Sequence, residues 1–513
     1  MGNGNVLEHQ ASTRKMLSNQ NSNDSVQMQK LWSLPEKWVA VLFTVVASLG
    51  YVSVGTMVGW SCNAFSDVKQ TNGVDYRQWP RYGEEEPLSE NQQTSLTATP
   101  ALAAAVSAAL AYKLYYRIGT KLFMLAAATL SIISNFLLCF GNCFWYFSVG
   151  RALAGVSAGI IFTLVPPYVD EFGSKQHKTL LDAILYVQFA LGILIQLMAD
   201  LIPLTQLSSV ISSTFPIFLF IGFLFLPESA RYLCAIKQVN RARTVLKKTH
   251  TGSDPLSVQT MENSLNHWQQ QQHQQERFTA VGFRESLQKL RHSRLVVPMF
   301  VLIIFQHFIG GLPMMFYLTR IFTLTDGQYT PEWTAVYVAA IFALSYPAYR
   351  LLGFKLGDYK LLLWSSALMS VAMIGLGWHC HVQGMYGHSD EYGHLPLVYF
   401  GVFIFLYAIG FQRVPWRWLD ESIEEEIAFP LRTIATALSW ATLYFCVRLL
   451  PTLIGLIGVG WLFWNIAIVL LFAILFVLFS LPNLDYGVIR CKTLTECSNS
   501  SSSANLETME MVV

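Results

Sequence analysis

Side chains able to bind or to switch are few in this chain and stand inside long apolar stretches. Gly150-Arg151 is followed by Gly155 and Gly159, then by Pro166, Pro167, Tyr168 and Glu171. Glycines four apart line one helix face and admit a neighbouring backbone, and a proline near the end can break the helix to form a gate. Arg151 and Glu171 lie about 30 Å apart along an unbroken helix, at 1.5 Å per residue, so each needs a partner on another element. Gln306-His307 sets an amide beside an imidazole, a pair suited to hydrogen-bonding a polar solute or, for His307, to sensing protons or packing. Arg413 and Arg448 interrupt apolar segments where a charge costs about 2.5 to 3.5 kcal/mol, so each must face a cavity, a partner or an interface. One reading makes them contacts for an anionic substrate. The other lets Arg413 snorkel or pair with Asp420 or Glu421 and sends Arg448 to an outer headgroup.

None of this is catalytic chemistry. No nucleotide loop or nucleophile triad occurs, since the Gly and Ser residues lie inside apolar runs. Eight Cys show no regular spacing and no CxxC pair near a His, so neither a disulfide framework nor a metal site is expected, and no cofactor is implied. Cys139 and Cys143, four apart on one face, read as packing residues, Cys62 and Cys380 as the one candidate bridge at the outer face, and Cys491 and Cys497 as acylation candidates.

The elements that must position these residues are membrane helices. The chain has 513 residues, 53% hydrophobic and 13% charged, against about 25% charged in a soluble domain. A net charge of +2 leaves no basic excess for nucleic acid. Twelve runs long enough to cross a bilayer, at roughly 20 residues each, fall in two groups of six. They are 38–61, 97–116, 121–141, 146–168, 179–200 and 208–226, then 295–318, 332–350, 359–379, 396–416, 433–456 and 460–481. The first is too long and too far from the start for a cleaved signal peptide. The expected organisation is a tail (1–37), a six-helix half (38–226) with a long loop at about 62–96, a polar linker (227–294) with a glutamine-rich patch at Gln269–Gln275, a second half (295–481) and a tail (482–513).

Lys113, Arg117, Lys121, Lys175, Lys178, Arg350, Lys355 and Lys360 cluster at alternate connections, so the positive-inside rule places both tails and the linker in the cytoplasm. The Asn23 and Asn499 sequons then lie on the wrong side for glycosylation. The tails, rich in Asn, Gln and Ser, read as disordered. Val6 argues against myristoylation at Gly2, and the terminal Met511-Val512-Val513 is a weak peptide-domain ligand.

The fourth-span signature closely resembles that of the sugar porter family within the major facilitator superfamily, the group that includes glucose and trehalose facilitators. Pro227-Glu228-Ser229-Ala230-Arg231-Tyr232-Leu233, Val414-Pro415-Trp416 with Glu421, Arg432 with Thr436-Ala437-Leu438-Ser439-Trp440, and Gly55-x-x-x-Gly59-Trp60-Ser61 are similar to further family motifs. The resemblance covers about residues 38 to 487. It implies an all-α major facilitator fold and alternating access about a central cavity. It also implies a cytoplasmic latch made here from Arg117, Arg151, Glu171, Glu228, Glu421 and Arg432.

The departures fall where that family handles sugar. Gln306-His307, Gly310 and Leu312 stand for its Gln-Gln, Gly and Asn, and Leu443-Tyr444 for its Asn-Trp, while Gln188 and Trp416 are kept. The loop Tyr116-Arg117-Ile118-Gly119-Thr120-Lys121 and its repeat Phe354-Lys355-Leu356-Gly357-Asp358-Tyr359-Lys360 have lost latch charges, which is expected to favour an inward-open state. No acid lies between Trp38 and Ser61, where the family's proton-coupled members carry one, so uniport is expected over proton symport. The leading expectation is a plasma-membrane carrier of a small polar solute, held by Gln188, Gln306, His307, Tyr317 and Trp416. The rivals are an organic-anion carrier using Arg413 and Arg448, and a transporter-like receptor without flux. The bilayer and the solute are the expected partners; protein partners are not implied.

Overall fold

In hydrocarbon every backbone N–H and C=O must be bonded within the chain, so apolar runs of this length fold as helices. The structure, a computed structural model, describes residues 36–63, 88–141, 143–171, 178–202, 205–249, 265, 296–325, 327–386, 392–422 and 425–480. Both tails with Gly2, the sequons, Cys491, Cys497 and the terminal valines, most of the 62–96 loop and most of the linker after residue 249 lie outside them.

Twelve helices among the described residues are long and apolar enough to cross a membrane, as the run count predicts. The first group is α1 (Glu36–Asn63), α2 (Glu90–Ile118), α3 (Thr120–Phe140), α4 (Phe144–Asp170), α5 (Lys178–Asp200) and α6 (Thr205–Phe225). Two short helices, α7 (Ala230–Ala235) and α8 (Val239–Thr249), begin the linker. The second group starts with α9 (Val296–Phe308), α10 (Gly311–Met315) and α11 (Leu318–Leu324), and continues with α12 (Pro331–Leu356) and α13 (Asp358–Tyr386). It ends with α14 (Leu395–Ile409), α15 (Val414–Ser422), α16 (Glu425–Ile457) and α17 (Val459–Ser480).

Span seven, read from the sequence as one helix over 295–318, is in three pieces. Gly310 sits at φ +86°, a left-handed conformation that only glycine enters without strain, and it ends the α9 helix two residues after Phe308. Span ten breaks likewise between Ile409 and Val414. Irregular backbone at membrane depth survives only where protein buries it or a cavity lines it, and both breaks adjoin the cavity described below.

Within the first group α1 packs on α5, α2 on α4, and α3 on α4 and α6; in the second α13 packs on α14 and α17. The two groups meet through α2 with α16 and α5 with α12. Lipid tails give no hydrophobic reward for helix contact, so close backbone packing carries these interfaces. A Cβ on Gly55 would stand 2.2 Å from the Phe189 carbonyl oxygen and 2.8 Å from the Gly192 Cα. Only two facing glycines let α1 and α5 approach so far. Gly55→Val should therefore lose about 1 to 3 kcal/mol of stability by overpacking, read as a lower thermal midpoint in detergent. Gly455→Val, with nothing within 4 Å of its Cβ, should leave that midpoint unchanged.

Candidate functional site: a cavity between the two helix groups

A cavity with about 660 Å³ of space, part of it open to solvent, lies between the two groups. From the first group Tyr51, Phe162, Pro166, Tyr186 and Phe189 line it; from the second come Gln306, His307, Leu312, Gln412 and Trp416. One face of α16 completes the wall with Arg432, Thr436, Ser439, Trp440 and Leu443, at helical spacings of three and four. The break after Phe308 sets Leu312 beside Gln306 and His307, and the break before Val414 sets Gln412 beside Trp416.

The polar groups are partly committed. Trp416 Nε1 donates to Gln306 Oε1 at 3.1 Å, and His307 Nε2 pairs with Ser439 Oγ at 2.7 Å. Arg432 donates to both oxygens of Asp420 at 2.9 and 3.0 Å. His307 Nδ1 and Gln412 Oε1, both without accessible surface, have no hydrogen-bond partner among the described residues. Among the described residues no Asp or Glu lines the cavity.

Three of the five residues expected to hold solute, Gln306, His307 and Trp416, come together here. The other two do not: Gln188 is half-buried on α5 away from the lining, where its neighbours Tyr186 and Phe189 stand instead. Tyr317 donates its hydroxyl to Val447 O at 3.1 Å, pinning the second group to itself. The apolar wall, above all Phe162, Tyr186 and Phe189, escaped sequence reasoning because an aromatic inside a span carries no signal of which neighbour it faces.

Arg413 meets neither expectation. Its guanidinium lies over three rings, those of Tyr186 at 4.2 Å, Tyr346 at 4.4 Å and Tyr349 at 4.7 Å. The acids proposed for it are taken: Asp420 by Arg432, and Glu421 by Arg417 at 3.2 Å, with Arg417 also 3.1 Å from Asp358. Arg413 is 9% exposed and does not line the cavity, and neither does Arg448, half-buried on α16.

The residues expected to latch the halves are split. On the side where the linker leaves, Glu171 accepts from Ser229 Oγ at 2.6 Å and from Ala230 N at 2.8 Å. Glu228 accepts from the Lys121 and Ser229 amides, both at 3.0 Å. These contacts tie the first group to the linker. The Arg432 and Glu421 pairs stay inside the second group, and Arg117 is exposed. Arg151 lies at the other end of α4, with contacts to α1 and α2 only. On the linker side the two groups meet instead through Tyr115 with Phe429 at 4.9 Å and Arg413 over Tyr186, and at mid-depth, beside the cavity, through Phe162 with Trp440 at 5.4 Å and Phe189 with Phe342 at 6.4 Å. At the opposite end Arg320 pairs with Glu90 at 3.1 Å, Thr319 bonds Asn63, and the Cys62 thiol donates to the Met315 carbonyl. Cys62 and Cys380 are separate free thiols, so the candidate bridge does not form. Contacts thus join the groups at both ends of the cavity.

Burial pushes the Glu171 carboxyl up to about 7, against the opposing pull of Arg231 and of the bonds from Ser229 and Ala230. The folded value is above the unfolded one, so the stability it contributes is complete below about pH 4.5 and is lost as pH rises through 7. The midpoint of the wild-type protein should fall between pH 5 and pH 8, and Glu171→Gln should flatten that slope. An unchanged slope would remove Glu171 as its source.

A helical bundle of twelve spans, broken twice beside a cavity between two six-helix groups, is the architecture of the major facilitator superfamily. The family model for sugar (and other) transporters matches residues 15–486, and the chain belongs to that family, a family of transporters and not of enzymes. It is similar to the facilitated trehalose transporter of Culex quinquefasciatus, 24% identical over 443 residues covering 86% of this chain and 83% of that one. The Anopheles gambiae facilitated trehalose transporter is 25% identical over 446 residues, covering 86% of this chain and 54% of its own. Among solved structures, the inward-open xylose transporter of E. coli has a TM-score of 0.67 at 18% identity, covering 86% of this chain and 96% of that one. A peptide-bound transporter of the POT family has a TM-score of 0.61 at 12% identity, covering 89% and 99%.

Proposed function

We propose that this protein is a facilitative carrier of a small neutral solute, working by alternating access between two moving halves, residues 38–226 and 295–481. The observation that carries the reading is the cavity between two helix groups that touch each other at both of its ends, by rings on one side and by polar contacts on the other. A carrier needs both contacts, because each must part in turn while the other holds. In the plasma membrane, with the linker and both tails in the cytoplasm, the aromatic contacts form the inner gate and the Arg320–Glu90 end the outer one.

Uniport is favoured over proton coupling because no described residue brings a carboxyl group to the lining, and the first-span partners of Arg151 are the Met57 carbonyl, the Ser61 hydroxyl and the Trp60 ring. An organic-anion carrier is disfavoured: Arg432 is neutralised by Asp420, and Arg413 and Arg448 stand outside the lining. The test is uptake of labelled solutes by the purified protein in liposomes at two pH values. Saturable uptake of a neutral solute, indifferent to a proton gradient and lost in Trp416→Leu, is expected. Carboxylate uptake would restore the anion reading, and counterflow at background from a folded, inserted sample would leave a receptor without transport.

A further inference from the structure

Apart from the central cavity, the first helix group holds a pocket of its own, framed by α1, α3, α4, α5 and α6 with no residue of the second group on its wall. It has about 410 Å³ of space, part of it open to solvent. Among the described residues Arg151 is the only charged one on that wall. The residue is fully buried, so water does little to screen its charge. Its guanidinium carries five N–H groups. Three are committed, to the Leu96 and Met57 carbonyls and the Ser61 hydroxyl, and every one of these acceptors is neutral. Asp200, at the end of α5, accepts from the Gln196 amide at 2.9 Å and stands outside the lining. The first span from Trp38 to Ser61 has no acid to supply the missing charge.

The other polar groups of the wall divide into those already bonded and those left open. Ser134 donates to the Gly150 carbonyl at 2.7 Å, Thr56 to the Ser53 carbonyl and Ser131 to Ser157 Oγ, both at 2.8 Å, and Ser212 bonds Gln196. The side chains of Ser53 on α1, Asn135 on α3 and Ser209 on α6 have no hydrogen-bond partner among the described residues, and their polar atoms are not sealed off from solvent. Ser53 and Ser209 are only 6% and 5% exposed, and what surface they keep is on the pocket. Three helices therefore bring unspent O–H and N–H donors to a space beside a buried cation from a fourth.

Water in that space would satisfy the donors and leave the charge unbalanced, which is costly at membrane depth. A metal cation would meet the guanidinium as repulsion and would find no carboxylate ligand. A multivalent anion would bring more charge than one guanidinium balances. We propose that the pocket binds one small monovalent anion of the chloride type, held by the field of Arg151 and by donors drawn from Ser53, Asn135 and Ser209. The ion replaces a carboxylate as the counter-charge of Arg151. This site is separate from the central cavity and does not depend on the carrier reading.

The test is chloride binding to the full chain purified in detergent, read by chloride-35 NMR line broadening and by the thermal midpoint in sodium chloride against sodium gluconate at equal ionic strength. Gluconate carries the same charge on a much larger body. Saturable broadening, reversed by bromide, is expected, with a midpoint that rises with chloride and then levels off, as binding to the folded state alone requires. Arg151→Met should abolish both effects. The double variant Asn135→Leu with Ser209→Ala keeps the charge, should weaken chloride at least tenfold through the lost hydrogen bonds, and serves if Arg151→Met does not melt cooperatively. A cooperatively melting wild-type sample with no saturable broadening and equal midpoints in the two salts would mean that the pocket holds water only. Chloride binding unchanged in the variants would place the ion elsewhere. Either result overturns the proposal.

Discussion

Arg151→Ala should cost about 3 to 5 kcal/mol of stability, while Arg151→Met should cost less than half of that. Arg151 is fully buried. Its Nε donates to the Leu96 carbonyl at 3.2 Å, one terminal nitrogen to the Met57 carbonyl at 2.9 Å and the other to the Ser61 hydroxyl, with the Trp60 ring 4.6 Å away. It therefore joins α4 to α1 and α2, yet among the described residues no carboxylate contacts it. Truncation to alanine leaves a void beside an already polar pocket of about 410 Å³ that lies wholly within the first group. It also strips three acceptors of their donor. Methionine refills most of the volume and removes a charge whose burial no carboxylate repays, so packing is recovered and the electrostatic cost disappears. Equilibrium unfolding of both variants in chloride-free detergent would decide it. Equal losses would mean that the guanidinium bonds, not the volume, hold this corner together.

Arg413→Leu should open the linker-side contact. A desolvated cation over an aromatic face is worth about 2 kcal/mol. Of the three rings around Arg413, only Tyr186 belongs to the opposite helix group. Losing that contact should shift the closed–open balance on this side by about tenfold to thirtyfold. Arg413→Lys should recover only part, because an ammonium lacks the planar face that stacks on the rings. Spin labels at Lys113 on α2 and Lys355 on α12, both exposed near the linker-side ends, would report a longer distance in the leucine variant. An unchanged distance distribution would make the tyrosine cage a device for storing a cation within the fold and not a gate. Glu90→Gln at the other end should change little, under about 1 kcal/mol, since Glu90 is 83% exposed in its pair with Arg320.

Together these variants separate two kinds of closure. The outer-end ion pair is wet, so salt and water compete with it. The ring contacts between the groups, at mid-depth and on the linker side, lie at buried positions such as Phe189, Phe342 and Phe429, where neither competes. Charges that the family resemblance assigns to a latch here hold each group together internally, and aromatic contact takes over between them. Loss of charge from the loops at Arg117–Lys121 and Lys355–Lys360 therefore does not leave this end unfastened.

Much of this architecture was legible in the sequence because it follows from local rules. Run length and the demand for internal backbone bonding dictate twelve helices, and the spacing of Gly55, Gly155 and Gly159 announces close helix contact before any partner is known. The Gln306-His307 pair and Trp416 stood out as polar or amphipathic groups in apolar surroundings, and the structure brings them to one cavity. Tertiary structure alone decided the rest. Gln188 and Tyr317 looked as suitable as Gln306, but the rotation of a helix about its own axis, set by packing, turns one residue into the cavity and its neighbour away. Arg413 read as an anion contact or as a partner of the nearby Asp420 or Glu421, whereas the rings that hold it come from α5 and α12, all more than 60 residues earlier in the chain. Aromatic side chains fit lipid, core and cavity equally well, so only the fold determines which of these a given ring faces.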